Sequence, residues 1–218
     1  MVGSACFAFG ALPPFAAWVG ATADGVTYFV GSLFFTAAAL LQVLLSAGVI
    51  KADERPRAGV SWRSRVRAPD RPEWWAGIVH FVGTLWFNLS TFAALDHSLT
   101  AAEQAQKVWT PDFRGSIAFL IASGLAFADV RRPWLRWRPR NLGWSVAMLN
   151  MVGSIGFGVS AVAAYAVPAT GDVVSMRWDT LGTFLGALCF FFGALLLIPD
   201  EVPAGPASTS TSGPEESN

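Results

Sequence analysis

Long apolar stretches alternate with short polar ones along the whole chain. A helix needs about 20 mostly apolar residues to cross a hydrocarbon core of ~30 Å. Six windows fit that length to differing degrees, and the fourth is the weakest because it is short and has Arg114 at its start. The sequence therefore predicts an all-α integral membrane bundle of six transmembrane helices. The predicted spans cover residues 1–20, 26–50, 74–95, 113–130, 143–167 and 181–198.

The composition favours lipid as the solvent, since 53% of the residues are hydrophobic and 14% are charged. Of the fifteen basic residues, seven lie between 51 and 71 and five between 131 and 140. Basic loops concentrate on the cytoplasmic side of membrane proteins. Both basic segments share one side only if the fourth window crosses the membrane, so we expect a plasma membrane protein with both termini in the cytoplasm. Residues 1–199 then form the transmembrane domain, and the polar, acidic segment 200–218 is expected to be disordered.

A short motif recurs once in every window: Gly followed by Ser or Thr, usually with an aromatic residue three positions later. The recurrence predicts three tandem helical hairpins, at about 1–50, 74–130 and 143–199. Only two residues precede the motif in the first window, which predicts either a short first helix or, as we hypothesise, a start upstream of Met1. The motif occurs at Gly3-Ser4, Gly31-Ser32, Gly83-Thr84, Gly115-Ser116, Gly153-Ser154 and Gly182-Thr183.

Small residues at this spacing are typical of helix contacts in membranes. Glycine lets two backbones approach closely, and Ser or Thr bonds to a carbonyl of its own or a neighbouring helix. The motifs are therefore interpreted as packing positions rather than as a ligand site. The predicted packing residues are Gly31, Ser32, Gly83, Thr84, Gly115, Ser116, Gly153, Ser154, Gly182, Thr183 and Gly186.

Polar residues inside the windows are candidates for a cavity, because polar groups in a membrane are costly. His80, Asn88, Asn150 and Asp179 are the candidate cavity-lining residues. His80 and Asn150 both lie three residues before a motif glycine, and with Asp179 on a common axis they would line a polar path. The favoured alternative is that each makes one interhelical hydrogen bond that fixes the bundle.

The hairpins with Gly-Ser-x-x-Phe in consecutive helices resemble the YrhK-like family of small bacterial membrane proteins. The resemblance is clearest in 143–199, where Asn150-Met-Val-Gly-Ser-Ile-Gly-Phe and Asp179-Thr-Leu-Gly-Thr-Phe-Leu-Gly occur. It implies a helical hairpin fold in the membrane. It implies no activity and no catalytic residue, because that family is uncharacterised.

Known catalytic patterns are absent from the sequence. His80 and His97 are too far apart along the chain for paired haem ligands, and Cys6 and Cys189 form no C-x-x-C motif. The chain has no H-E-x-x-H helix and no phosphate loop ending in Lys. We therefore predict no enzyme activity, no cofactor and no metal.

The expected partners are the bilayer and anionic lipid headgroups at the basic loops, rather than nucleic acid. A homo-oligomer is left open by the sequence. The leading interpretation is a non-enzymatic membrane protein with a structural or regulatory role. The alternative is a small-solute or ion transporter or channel whose polar residues line a central cavity.

Overall fold

The computed structural model describes residues 1–47, 72–130, 141–166 and 172–198, and most of them are helical. The two basic segments between 51 and 71 and between 131 and 140, and the tail 200–218, lie outside the described residues. The helices are α1 Val2–Gly10, α2 Pro13–Val19, α3 Ala21–Ser46, α4 Pro72–Ala93, α5 Ala101–Gln104, a π-helical turn Ala105–Trp109, α6 Thr110–Val130, α7 Leu142–Ala163 and α8 Met176–Leu195.

Four of these helices, α3, α4, α7 and α8, are long and apolar enough to cross a membrane. The bent pair of α1 and α2 makes a fifth span if it counts as one. Among the described residues, α6 does not join them, since it carries Asp112 and Arg114 in its first turns. These lengths and compositions are those of a multi-pass membrane protein, and the arrangement of six spans stays a prediction.

The exterior of the described helices is largely apolar, unlike the surface of a water-soluble protein. Large apolar side chains such as Leu89, Phe92 and Ile121 are more than half exposed. The fully buried positions instead include small hydroxyl residues, Ser32, Thr84 and Ser154. An apolar exterior around an interior of phenylalanine, alanine and small hydroxyl residues fits a surface that meets lipid tails.

Six of the helices form a closed ring. Helices α1, α3, α4, α6, α7 and α8 each contact the next one in this order, and α1 also contacts α8. Consecutive ring helices run antiparallel: Ser32 of α3 bonds to Thr91 near the end of α4, whereas Gly77 near its start packs on Val43. Each helix therefore points in the direction opposite to the two beside it.

Glycines lie where the backbones of three helix pairs come closest. A Cβ built on Gly3 would be 2.7 Å from the Gly31 carbonyl oxygen, and one on Gly115 would be 3.1 Å from the Gly83 carbonyl oxygen. In the α7–α8 pair, a Cβ on Gly182 would be 2.6 Å from the Gly156 carbonyl oxygen. The contacts join α1 to α3, α4 to α6 and α7 to α8.

The motif hydroxyls bond to backbone or to other hydroxyls. Within their own helices, Ser32 Oγ donates to the Phe29 carbonyl at 2.7 Å and Thr84 Oγ1 donates to the Phe81 carbonyl at 2.7 Å. Between α6 and α7, Ser154 lies 2.7 Å from Ser123 Oγ, and Ser116 Oγ donates to the Phe157 carbonyl at 3.3 Å. These polar groups are satisfied within the protein, as a lipid-facing bundle requires.

Several predicted boundaries differ from the structure. The window 1–20 is not one helix, because the chain bends by 87° between α1 and α2, and α2 starts on Pro13, which donates no backbone hydrogen bond. Residues 21–25, predicted to be a connector, form the first turns of α3. The predicted connector 96–112 contains α5, the π-helical turn and the start of α6.

Side-chain caps explain two of the early starts. Thr100 forms a capping box with Glu103 at the start of α5, and the Ser175 hydroxyl accepts from the Trp178 backbone N–H at the start of α8. Such caps satisfy the free N–H groups of a first turn. With these caps a helix can begin at polar residues, which lie outside the apolar windows.

Candidate functional site

The centre of the ring is filled by six phenylalanines, one from each ring helix. Each lies four residues after a glycine, which places it about one turn further along the same helix face. Five of them are buried at the centre, where Phe119 is 1% exposed, and Phe35 is partly buried. We call these residues the phenylalanine layer: Phe7, Phe35, Phe87, Phe119, Phe157 and Phe190.

The phenylalanine layer has two tiers of three rings. In the first tier, Phe7, Phe87 and Phe157 contact one another with centroid separations of 5.9 to 6.4 Å. In the second tier, Phe35, Phe119 and Phe190 do the same at 5.6 to 6.2 Å. Neighbouring ring helices run in opposite directions. The four residues from the glycine to the phenylalanine therefore lead toward one end of the bundle in α1, α4 and α7 and toward the other end in α3, α6 and α8, which separates the two tiers.

The two tiers also contact each other within each glycine-packed pair. The centroids of Phe7 and Phe35 are 5.4 Å apart, those of Phe87 and Phe119 are 4.9 Å apart, and those of Phe157 and Phe190 are 5.6 Å apart. Each helix pair thus contributes one ring to each tier. The layer is a continuous apolar plug across the axis of the ring.

A polar cavity of about 360 Å³ lies on the first-tier side of this layer. Its floor is formed by the three first-tier rings, and its walls carry Tyr28, Asp112 and Asp179. Each of these three residues lies three positions before a motif glycine, in α3, α6 and α8. Those helices run in the same direction, so the three side chains reach the same end of the bundle. We call this space the acidic cavity.

The two carboxylates of the acidic cavity have different surroundings. Asp179 accepts a hydrogen bond from Ser160 Oγ at 2.7 Å, and Ser160 also lies 2.6 Å from Thr183 Oγ1. Asp112 is enclosed by protein and has no hydrogen-bond partner among the described residues. The nearby Trp109 indole N–H is occupied, because it donates to the Ala161 carbonyl at 2.7 Å. One carboxylate is therefore anchored and the other is free to meet a ligand.

A second cavity, of about 600 Å³, lies on the second-tier side. It is bordered by Phe35 and Phe190 and contains the polar side chains of Gln42, His80 and Asn150. We call it the histidine cavity. The His80 ring packs edge-on against Phe119 with a centroid separation of 4.3 Å. Its Nε2 atom is buried without a hydrogen-bond partner among the described residues.

The candidate residues from the sequence are thus divided between three places. The structure brings His80 and Asn150 together in the histidine cavity, whereas Asp179 lies in the acidic cavity beyond the phenylalanine layer. Asn88 lines neither cavity. It lies between α3 and α4, where its amide donates to Thr36 Oγ1 at 2.8 Å.

The sequence pattern did not assign Asp112 or the recurring aromatic residue to a site. The signal was present for both, because each keeps a fixed offset from a motif glycine. The sequence does not show that the helices alternate in direction. That direction determines at which end of the bundle a side chain with a given offset lies. In α8 the glycine that precedes the buried ring is Gly186 rather than Gly182.

No metal-binding cluster of three or more His, Cys, Asp or Glu side chains occurs within the described part of the chain. Comparison with known proteins finds no match to a family model, a curated protein or a solved structure. The resemblance to the YrhK-like family stays a prediction. The geometry of the two cavities therefore carries the functional argument.

Proposed function

We propose that this protein is a multi-pass transporter or channel of the plasma membrane that moves a small solute or ion along the axis of its helix ring. The observation that carries the proposal is a pair of cavities, each with polar side chains in its walls, on opposite sides of one phenylalanine layer. Transport proteins commonly hold polar groups near the middle of the membrane and close the path with an apolar constriction. In this proposal the phenylalanine layer is the closed barrier.

Polar groups without a partner lie in both cavities and support transport. In a packing element most buried polar side chains have a hydrogen-bond partner, as Thr84 has in the Phe81 carbonyl, although the Asn88 Oδ1 atom between α3 and α4 has none among the described residues. Asp112 and His80 Nε2 have none among the described residues, although both groups belong to cavity-lining side chains. Burying an unpartnered polar group in a membrane costs free energy, and binding a transported solute would offset that cost.

The proposed orientation follows from the basic segments. With both of them and both termini in the cytoplasm, the histidine cavity opens toward the cytoplasm and the acidic cavity toward the outside. The Arg114 guanidinium lies 5.0 Å from the centroid of the Trp86 ring, whose face attracts the cation.

Opening the barrier tests the proposal directly. The full chain is reconstituted in liposomes, and the uptake of potassium, protons, glycerol and choline is measured for wild type and for the double variant Phe87→Ser/Phe119→Ser. This variant removes one ring from each tier in the same helix pair. We expect it to raise the leak by about tenfold or more, because polar hydroxyls let water enter an apolar constriction. Phe92→Ser, at an exposed position of α4, is the matched control and is expected to leak like wild type.

Folding is checked by the elution volume and thermal midpoint of each variant in detergent. Uptake of one of these solutes by the wild type, or a leak confined to the folded double variant, supports an axial path. If neither the wild type nor a folded double variant passes any of the solutes faster than empty liposomes, the transport proposal is wrong. The structural or regulatory interpretation would then be preferred.

A further inference from the structure

The lining of the acidic cavity contains two carboxyl groups and no basic group among the described residues. The carboxyl groups are those of Asp112 and Asp179. The remaining polar groups on its walls are hydroxyls and an amide, from residues such as Ser90, Thr91 and Gln104. A positively charged ligand is therefore the electrostatic complement of this space.

Aromatic rings cover much of the same cavity. The three first-tier rings form its floor, and Tyr28 and Trp109 lie in its walls. Tyr28 packs edge-on against Phe7 with a centroid separation of 5.2 Å, which fixes the corner between wall and floor. Aromatic surfaces attract organic cations through the negative potential of the ring face.

The size and lining argue for an organic cation rather than a bare metal ion. A volume of about 360 Å³ lies in the range of small-molecule pockets, which begins at ~300 Å³. A hard metal ion takes six or more oxygen ligands, and a floor of three phenyl rings supplies none. An ammonium group with alkyl substituents matches both parts of the lining, because its charge meets the carboxylates and its carbon surface meets the rings.

We infer that the acidic cavity binds a small organic ammonium ion. The unpartnered Asp112 is its main counterion, and Asp179, held in place by Ser160, is the second. This inference deepens the proposed function by naming the class of ligand. Binding at equilibrium needs no passage through the phenylalanine layer, so it is measured separately from transport.

Choline and its neutral isostere 3,3-dimethyl-1-butanol form a matched pair of probes, because they share a shape and differ in charge. Titration calorimetry on the full chain in detergent is expected to show binding of choline and at least tenfold weaker binding of the isostere. Asp112→Asn keeps the size of the side chain and removes its charge, and is expected to weaken choline binding tenfold or more. Asp96→Asn, in the connector after α4, is the control and is expected to bind as wild type does.

The result is decisive in either direction. Equal binding of choline and the isostere, unchanged choline affinity in Asp112→Asn, or no binding of choline or tetramethylammonium to folded protein would overturn the inference. Choline binding without flux of any solute would leave this site standing and remove the transport proposal. Flux without ammonium binding would do the reverse. A thermal midpoint of Asp112→Asn close to that of wild type shows that the variant has folded.

Discussion

Replacing Gly182 by alanine tests whether the helix ring depends on backbone contact between α7 and α8. A Cβ at this position would lie 2.6 Å from the Gly156 carbonyl oxygen and 2.8 Å from the Ser160 backbone nitrogen. Both are backbone atoms, so no rotation of a side chain relieves the overlap. The two helices have to move apart, and the Ser160 bonds to Thr183 and Asp179 have to shift with them.

The magnitude follows from comparing this site with an open one. Overpacking of a tight contact costs about 1 to 3 kcal/mol, whereas alanine in place of glycine gains up to about 1 kcal/mol of helix propensity. Gly124 in α6 is the matched control, since the nearest atom to a Cβ there is the Met151 Cε at 3.9 Å. The propensity gain is common to both sites, so Gly182→Ala should be less stable than Gly124→Ala by about 1 to 3 kcal/mol.

The assay is reversible unfolding of the purified protein in mixed micelles of increasing SDS content, followed by circular dichroism. We expect the midpoint of Gly182→Ala to move to lower SDS content, while Gly124→Ala stays at or above wild type. Equal midpoints for the two variants would refute the reasoning, because they would show that α7 and α8 tolerate a methyl group at their closest approach.

Two further predictions concern other parts of the ring. Asn88→Ala removes the bond to Thr36 and should destabilise the protein by about 0.5 to 1.5 kcal/mol in the same assay, and a stability unchanged from wild type would show that this bond contributes nothing. In the connector after α4, the hydrogen bond from Lys107, with those from Thr100, lowers the pKa of Glu103 to about 2. A lowered folded pKa stabilises the folded state above the ordinary pKa of 4.5, and this contribution is lost as the pH falls toward 2. The difference in hydrogen-exchange protection of residues 101–109 between wild type and Glu103→Ala should therefore shrink over that pH interval, and a constant difference would contradict the assignment.

The apolar windows located the helices, and the local sequence explains where the boundaries differ. Helix α3 begins at Ala21 rather than at 26, and its first turn includes Asp24. Helix α6 extends back to Thr110 although Asp112 and Arg114 reduce its hydropathy. A polar residue at a helix start is compatible with the helix but ends an apolar window, so hydropathy alone shortens such elements.

The candidate site was less predictable, because it depends on tertiary direction. His80, Asn150 and Asp179 all lie three residues before a glycine, and that shared offset suggested one common cavity. The helix that carries Asp179 runs opposite to the helices that carry His80 and Asn150, which sends its side chain to the other end of the bundle. The number of residues between a side chain and its glycine predicts the helix face on which the side chain lies. Predicting the end of the bundle also requires the direction of the helix.

The contact between α1 and α8 has a consequence for biosynthesis. These helices lie at opposite ends of the described chain, so the ring remains open until the last of its members has been inserted. Each earlier neighbour contact joins helices that follow each other in sequence and forms at a low cost in loop entropy, whereas this contact closes the longest loop. The ring therefore cannot close before α8 is present, and a ribosome stalled before α8 holds an incomplete ring.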